Sequence, residues 1–179
     1  EDGGFTAIKV SQDGGRGDYI PYTTRPIQWH TDGYYNPVDR KIRGLLLHCE
    51  RPAVEGGVTQ LLDPEIVYLQ MREMDRSALE ALFQEDVMTI PAHVLDGVVH
   101  RPESKGSVFS VDTGGRLHMR YTARKRNIEW KKEAETEKAV ELLTQLMRSE
   151  SPGVFEAKLE AGQGLISNNV LHNRSGFED

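Results

Sequence analysis

A histidine and an aspartate two residues apart, His30 and Asp32, form the first pair in the sequence that can bind a metal ion. Side chains at this spacing point to the same side of an extended strand, so an imidazole nitrogen and a carboxylate oxygen can reach one ion. A mixed nitrogen and oxygen pair suits a borderline divalent metal. The spacing alone is a weak signal, because such a pair more often has a surface or capping role.

A third ligand must come from elsewhere in the chain, because two histidines and one carboxylate occupy three corners of an octahedron and leave three for substrates. His172 is the candidate, since it follows a predicted strand from Leu165 to Leu171. A site built from these residues would join the first and last parts of the domain. The alternative interpretation is that His172 is a hydrogen-bonded strand histidine.

The other histidines are weaker candidates. His48 has an acidic residue, Glu50, two positions on, so on spacing alone it rivals His30. The remaining three lack an acidic partner at that spacing, and we expect them to be structural or surface residues: His93, His100 and His118.

The elements that must position these residues are mostly strands. Short apolar segments bounded by Gly, Asp and Pro are typical of an antiparallel β architecture, and ten of them suggest two facing sheets. Glycines between two of the strands favour a hairpin loop. The predicted strands are Phe5 to Val10, Ile27 to His30, Gly44 to Cys49, Val58 to Leu62, Val87 to Ile90, Val98 to Arg101, Val108 to Val111, Leu117 to Tyr121, Phe155 to Leu159 and Leu165 to Leu171.

Three helices are predicted between the strands. Asp63 followed by proline is a helix start signal, which predicts a helix from Pro64 to about Glu73. A second helix, capped by Asp75, is expected from Arg76 to about Phe83. The stretch from Lys132 to Met147 has apolar residues at helical spacing and predicts an amphipathic helix packed on a sheet.

Composition limits the classes of function. The chain has 179 residues, enough for one domain with a sizeable core, and a formal net charge of −6 with interspersed signs. Nucleic acid is therefore not an expected partner. No apolar run is long enough to span a bilayer, and we expect a cytoplasmic protein. Cys49 is the one cysteine and cannot form an internal disulfide. The absence of an initiating methionine suggests that residues 1–179 are one catalytic domain of a longer protein, and homo-oligomers stay possible.

Four blocks of sequence resemble a known family. They are Tyr22 to Asp32, Leu46 to Cys49, Gly56 to Thr59 and Asn168 to Arg174, and they are similar in order and spacing to the taurine dioxygenase superfamily of Fe(II)- and 2-oxoglutarate-dependent oxygenases. The middle and last blocks look most like its γ-butyrobetaine hydroxylase-like branch. The resemblance implies a mainly β fold, the double-stranded β-helix or jelly roll. It also implies iron bound by His30, Asp32 and His172.

The same resemblance implies how 2-oxoglutarate and O2 are used. 2-Oxoglutarate would chelate the iron, and Thr59 matches the family threonine that hydrogen-bonds its far carboxylate. A hydroxyl cannot neutralise that charge, so the family adds an arginine a dozen or more residues after the second histidine. We expect this arginine beyond Asp179. Arg174, on the same strand face as His172, is a possible substitute.

The resemblance also bears on the reaction and the substrate. Halogenating relatives replace the carboxylate ligand with a small residue, so Asp32 favours hydroxylation of a small polar substrate, although desaturation and bond cleavage would use the same ligands. Tyr22 matches an aromatic position that helps to cage a quaternary ammonium in the betaine branch. Tyr34 and Tyr35 follow Asp32 closely enough to line the mouth of the site.

Two other classes of function compete with an oxygenase. One is a catalytically inactive β-barrel that binds a metal or a small carboxylate. The other is a zinc or manganese cupin-like isomerase or lyase, because ligand types alone do not select the metal. The block ending at Thr59 argues against the second, since it has a purpose only if 2-oxoglutarate binds.

Overall fold

The computed structural model describes residues 5–11, 19–148 and 150–179, without the side chain of Val38. Strands dominate it, and three α-helices lie between them. Two 3-10 turns, Ile20–Tyr22 and Val38–Arg40, flank the first strand. The elements are β1 Ile27–His30, β2 Gly44–His48, β3 Glu55–Gly56, β4 Thr59–Leu62, α1 Pro64–Met74, α2 Arg76–Ala81, β5 Met88–Ile90, β6 His93–Leu95, β7 Val98–Arg101, β8 Ser104–Gly106, β9 Phe109–Val111, β10 Leu117–Met119, β11 Glu129–Trp130, α3 Ala134–Leu146, β12 Val154–Ala157, β13 Gly164–Asn168, β14 Leu171–Arg174 and β15 Phe177–Glu178.

A four-stranded antiparallel sheet forms the frame, in the order β1-β14-β4-β12. In the middle of the sheet, His172 is the register partner of Leu61, and Arg174 is the register partner of Thr59. Directly opposed residues of antiparallel strands share a face, so these four side chains lie on one side of the sheet. The first and last parts of the chain are thus neighbours in this sheet.

A two-stranded sheet, β2 with β13, faces the β4–β12 edge of the frame across a cavity. Its exposure alternates along both strands, with Leu47 and Leu165 turned inward and Leu46 and Ile166 turned outward. Period-two alternation of this kind is the pattern of a half-buried sheet. The two sheets provide the two walls between which a jelly roll encloses its interior.

Residues 63–153 form an insertion between two strands that are hydrogen-bonded neighbours, β4 and β12. The insertion contains the three helices and most of the core, with fully buried Met71, Leu82, Phe109 and Leu143 packed together. Asp63 caps α1 by accepting from the Glu65 amide, as the sequence predicts. Within the described residues, none of the helices is long and apolar enough to cross a membrane.

Several predicted bounds are confirmed and two predictions are wrong. Strands β1 and β7 have the predicted bounds, and the three helices differ from prediction by two residues or fewer at either end. Residues 5–10 form no strand and are exposed, because no strand among the described residues pairs with them. The single strand predicted from Leu165 to Leu171 is two strands, β13 and β14, which belong to different sheets. Short strands that the pattern did not indicate are β3, β6, β8, β11 and β15.

Candidate metal centre

The two candidate histidines face each other across the β1–β14 pair. His30 and His172 are direct register partners, with ring centroids 4.3 Å apart. Ile27 is already paired with Arg174, so β1 has one residue more than β14 over the same span, and the register shifts there. Such a bulge re-aims the following side chain, and here it puts His30 on the face that carries His172.

Each imidazole is oriented by a carbonyl two residues earlier. The Nδ1 atom of His30 lies 2.9 Å from the Gln28 carbonyl, and that of His172 lies 2.9 Å from the Val170 carbonyl. A carbonyl only accepts, so both Nδ1 atoms carry the proton and donate it. The neutral rings therefore direct an Nε2 lone pair into the site, which is the orientation that second-shell contacts give to metal-binding histidines.

The Asp32 carboxylate completes the cluster. Its Oδ1 atom lies 3.6 Å from Nε2 of His30 and 3.7 Å from Nε2 of His172. These are ligand-type atoms of three residues within 4.8 Å of one another, and they form the one such group of three or more among the described residues. The fold thus brings together the three residues that the sequence analysis selected, His30, Asp32 and His172. His48, the rival on spacing, is exposed at the end of β2.

Asn169 holds the backbone on which Asp32 lies. Its Oδ1 accepts from the Asp32 amide at 2.8 Å, and its Nδ2 donates to the Asp32 carbonyl at 2.8 Å and to the Ile42 carbonyl at 2.9 Å. Asn169 is 6% exposed and stands in the break between β13 and β14. The sequence reasoning missed this residue, and the signal available was the run of three polar residues, Ser167 to Asn169, in the middle of the predicted strand.

The electrostatics of the cluster favour a neutral imidazole beside a charged carboxylate. The adjacent imidazole of His30, and after it that of His172, hold the pKa of Asp32 below its usual value against the opposing effect of burial. Burial lowers the pKa of His172, and the neighbouring His30 adds to the decrease. A carboxylate oxygen and unprotonated Nε2 atoms are the donor forms that a divalent cation requires.

The donor set fits a divalent iron ion. Two imidazole nitrogens and one carboxylate oxygen are the three protein ligands of the facial arrangement used for non-haem Fe(II). Side-chain exposures of 18% for His30, 11% for His172 and 34% for Asp32 leave the cluster open on one side. The open side provides room for further ligands.

Thr59 borders the cavity between the two sheets. The cavity has a volume of about 420 Å³, and Leu61, Phe155, Leu159 and Leu165 supply apolar walls. Thr59 lies on the sheet face that carries His172, and its hydroxyl has no hydrogen-bond partner among the described residues. Thr59 and Gln163 are the polar side chains in the lining of this otherwise apolar cavity, which fits a ligand with a polar end.

Arg174 is engaged elsewhere. Its guanidinium donates to the carbonyls of Pro21, Thr23 and Arg25 at 3.4, 2.8 and 3.0 Å, and it lies 4.7 Å from the Phe177 ring centroid. Its Nε atom is buried without a partner in the described part of the chain. The contacts tie the segment before β1 to β14, so they favour a structural role, and the cosubstrate role stays a prediction.

The three tyrosines occupy different environments. Tyr34 is buried at 7% exposure and its ring lies 6.3 Å from the His30 ring, whereas Tyr35 is 42% exposed and packs edge-on against Tyr34 at 5.2 Å. Burial raises the pKa of the Tyr34 hydroxyl, while Arg124 and Arg101 act to lower it. Tyr22 ends the 3-10 turn that Arg174 helps to hold, and its amide donates to the Tyr19 carbonyl at 3.0 Å.

Comparison with known proteins gives a family match over nearly the whole chain. The model of the family described as "Taurine catabolism dioxygenase TauD, TfdA family" matches residues 2–179. Two curated proteins described as uridine-5'-phosphate dioxygenases are similar in sequence. The one from Amycolatopsis sp is 29% identical over 88% of this chain, and the one from Streptomyces sp is 30% identical over 97% of it. The chain spans 57% and 64% of the lengths of these relatives.

Solved structures share the fold at low sequence identity. An asparagine oxygenase in complex with Fe(II), 2S,3S-3-hydroxyasparagine and succinate matches with a TM-score of 0.67 at 15% identity, over 95% of this chain and 50% of its own. The non-heme iron oxygenase OrfP matches with a TM-score of 0.63 at 17% identity, over 92% of this chain and 51% of its own. The predicted mainly β fold, the double-stranded β-helix with a few packing helices, is confirmed.

Proposed function

Because the chain belongs to the TauD/TfdA family of taurine catabolism dioxygenases, we propose that it forms the core of an Fe(II)- and 2-oxoglutarate-dependent dioxygenase. The proposed reaction hydroxylates an unactivated C–H bond of a small polar substrate and converts 2-oxoglutarate to succinate and CO2. The observation that carries the proposal is the convergence of two Nε2 atoms and one carboxylate oxygen within 4.8 Å on a frame of this family. His30, Asp32 and His172 would hold the iron.

When bound, the iron and its cosubstrate supply the redox chemistry that activates O2. The chain contributes binding, orientation and the exclusion of water. The two carbonyl contacts at Nδ1 keep both imidazoles aimed at the ion, and Asn169 holds the Asp32 backbone in place. One anionic ligand leaves a net positive charge on a divalent ion, which favours binding of the keto acid end of 2-oxoglutarate.

The cavity beside the cluster is the proposed place for the rest of 2-oxoglutarate. Its apolar walls suit the two methylene groups, and the Thr59 hydroxyl can donate one hydrogen bond to the far carboxylate. A buried carboxylate needs more than one neutral donor. We therefore propose that a cationic side chain also binds this carboxylate, and Arg174 is the candidate within the chain.

The substrate class, the cellular location and the domain organisation are also proposals. The curated relatives are named for a nucleotide substrate, which supports a small, polar, phosphorylated molecule as one class to test. We propose a cytoplasmic protein in which residues 1–179 act as a single catalytic domain. The finding that no described helix suits a membrane span is compatible with that location.

Anaerobic Fe(II) titration tests the metal site. We expect one ion per chain, and loss of stoichiometric binding in each of three variants, His30→Ala, Asp32→Ala and His172→Ala. His118→Ala is the matched control and should bind iron like the parent, because His118 lies outside the cluster. Unchanged affinity in the His172 variant would remove that residue from the site.

Turnover tests the reaction class. With iron bound, O2 consumption and succinate release should depend on added 2-oxoglutarate. Anaerobic addition of 2-oxoglutarate should also produce the metal-to-ligand charge-transfer absorbance of a chelated keto acid. Stoichiometric metal binding without this absorbance would favour the metal-binding module or the isomerase over an oxygenase.

A further inference from the structure

Two arginines contact the tyrosines that stand beside the metal cluster. The guanidinium carbon of Arg124 lies 5.8 Å from the ring centroid of Tyr34, and that of Arg101 lies 5.6 Å from the ring centroid of Tyr35. The Tyr34 ring is 6.3 Å from His30, so the two charges gather at the rim of the proposed catalytic site.

The backbone next to His30 fixes where Arg124 emerges. Thr122 forms an isolated bridge with His30, and the Ala123 amide donates to the Trp29 carbonyl at 2.8 Å. The chain therefore leaves β1 at Ala123, and Arg124 begins the exposed run that continues with Lys125 and Arg126. The basic run starts at the cluster itself rather than at a remote surface.

Neither rim arginine forms an ion pair with a described residue. Arg101 is anchored through a bond from its Nη2 to the Pro91 carbonyl at 2.9 Å, and Arg124 makes no hydrogen bond to the described residues. No carboxylate lies within ion-pair distance of either guanidinium in the described part of the chain. In a protein of net charge −6, two uncompensated arginines at one opening are a local reversal of sign.

We propose that Arg124 and Arg101, which lie against the rings of Tyr34 and Tyr35, bind the phosphate group of a phosphate monoester substrate. The proposal rests on the proposed function and names its substrate class. A phosphate monoester carries about −1.5 to −2 charges at pH 7, which matches two guanidinium groups better than a carboxylate does. Planar guanidinium groups also pair with phosphate oxygens through two parallel bonds.

The same two cations disfavour the alternative substrate class that the sequence suggested. Rings that cage a quaternary ammonium must offer it their faces. A face of Tyr34 and a face of Tyr35 already contact guanidinium groups, and a second cation at this rim would meet like charge. The rim therefore selects anions.

Paired ligands that differ only in the phosphate test the inference. Uridine 5'-phosphate against uridine, and ribose 5-phosphate against ribose, are titrated calorimetrically into the protein without oxygen, both metal-free and with Fe(II) and 2-oxoglutarate. At least one monoester should bind ten-fold or more tightly than its dephosphorylated partner. Arg124→Gln and Arg101→Gln should each weaken monoester binding by about 10- to 100-fold and leave the neutral ligand unchanged. Choline should not displace the monoester.

Arg126→Gln is the matched control, since it removes the same charge from the same exposed run without a contact to Tyr34. It should change affinity by less than about three-fold, whereas an effect equal to that of Arg124→Gln would mean a diffuse field rather than a site. Equal binding of the monoesters and their neutral partners, or displacement by choline, would overturn the inference. Because monoester binding is also measured on the metal-free protein, failure of the phosphate-binding inference can be distinguished from failure of the proposed metal site.

Discussion

Replacing Asn169 by aspartate should damage the metal cluster without touching a ligand. Aspartate has the shape of asparagine and retains the oxygen that accepts from the Asp32 amide, but it cannot donate to the carbonyls of Asp32 and Ile42 at 2.8 and 2.9 Å. Two partly buried carbonyls then face a carboxylate oxygen instead of an amide. An acceptor that is only partly buried loses about 1 to 2 kcal/mol when its partner is removed, so for two of them we expect a loss of about 2 to 4 kcal/mol in the free energy of unfolding.

Urea unfolding of the metal-free protein measures this loss. With a slope of about 2 kcal/mol per molar urea, the midpoint should fall by about 1 to 2 M. Fe(II) affinity should fall by about 10- to 100-fold, the range for loss of an outer-shell partner. Asn168→Asp is the control, because it makes the same chemical change at the adjacent, exposed position. If both variants lose equal stability, or if Asn169→Asp unfolds and binds iron like the parent, the argument that Asn169 holds the Asp32 backbone in place is wrong.

Two further predictions concern Thr59 and His118. Thr59→Val should weaken 2-oxoglutarate binding by about 1.5 to 3 kcal/mol, or roughly 10- to 150-fold, because one donor to the far carboxylate is lost. The charge-transfer absorbance measures this binding. Thr144→Val, on the outer side of α3, is the control. Equal affinities of the Thr59 variant and the parent for 2-oxoglutarate would mean that Thr59 does not bind the cosubstrate. Burial lowers the pKa of His118 to about 4, with Lys41 and Arg43 contributing, so the unfolded chain takes up more protons between about pH 6.5 and 4. Stability should fall as the pH falls through this window, and His118→Gln should reduce the fall while His100→Gln, at an exposed position, should not.

The candidate metal site could be selected from sequence mainly because its residues stand in blocks that resemble a known family, since the His-x-Asp spacing alone is a weak signal. His30 and Asp32 lie at a recognisable spacing, and His172 is the histidine in a block that resembles a known family. What the spacing could not show is how the side chains are aimed. The argument that residues two apart share a face of a strand assumes a regular strand through Asp32. In the structure β1 ends at His30 after a bulge, and Asn169 holds the backbone of Asp32 in place.

Strand predictions failed where tertiary pairing decides the outcome. Residues 5–10 are rich in apolar side chains, yet no described strand pairs with them, and a local sequence pattern cannot show whether a partner strand exists. The apolar pairs at the two ends of the segment from Leu165 to Leu171 concealed the transfer of the chain from one sheet to another at Asn169. The rim arginines, too, became visible only when the bridge between His30 and Thr122 placed the basic run at the cluster.

The insertion between β4 and β12 has a consequence for how proteins of this architecture can diversify. Leu62 and Val154 are register partners, so the two junctions of residues 63–153 lie side by side on neighbouring strands. A segment spliced between adjacent points need not alter the frame, and the entropy of closing it rises only slowly with its length. The metal cluster and Thr59 belong to the frame, whereas Arg101 and Arg124 belong to the insertion. Exchange of this one segment between relatives would therefore transfer the proposed phosphate-binding arginines together and leave the proposed metal ligands unchanged.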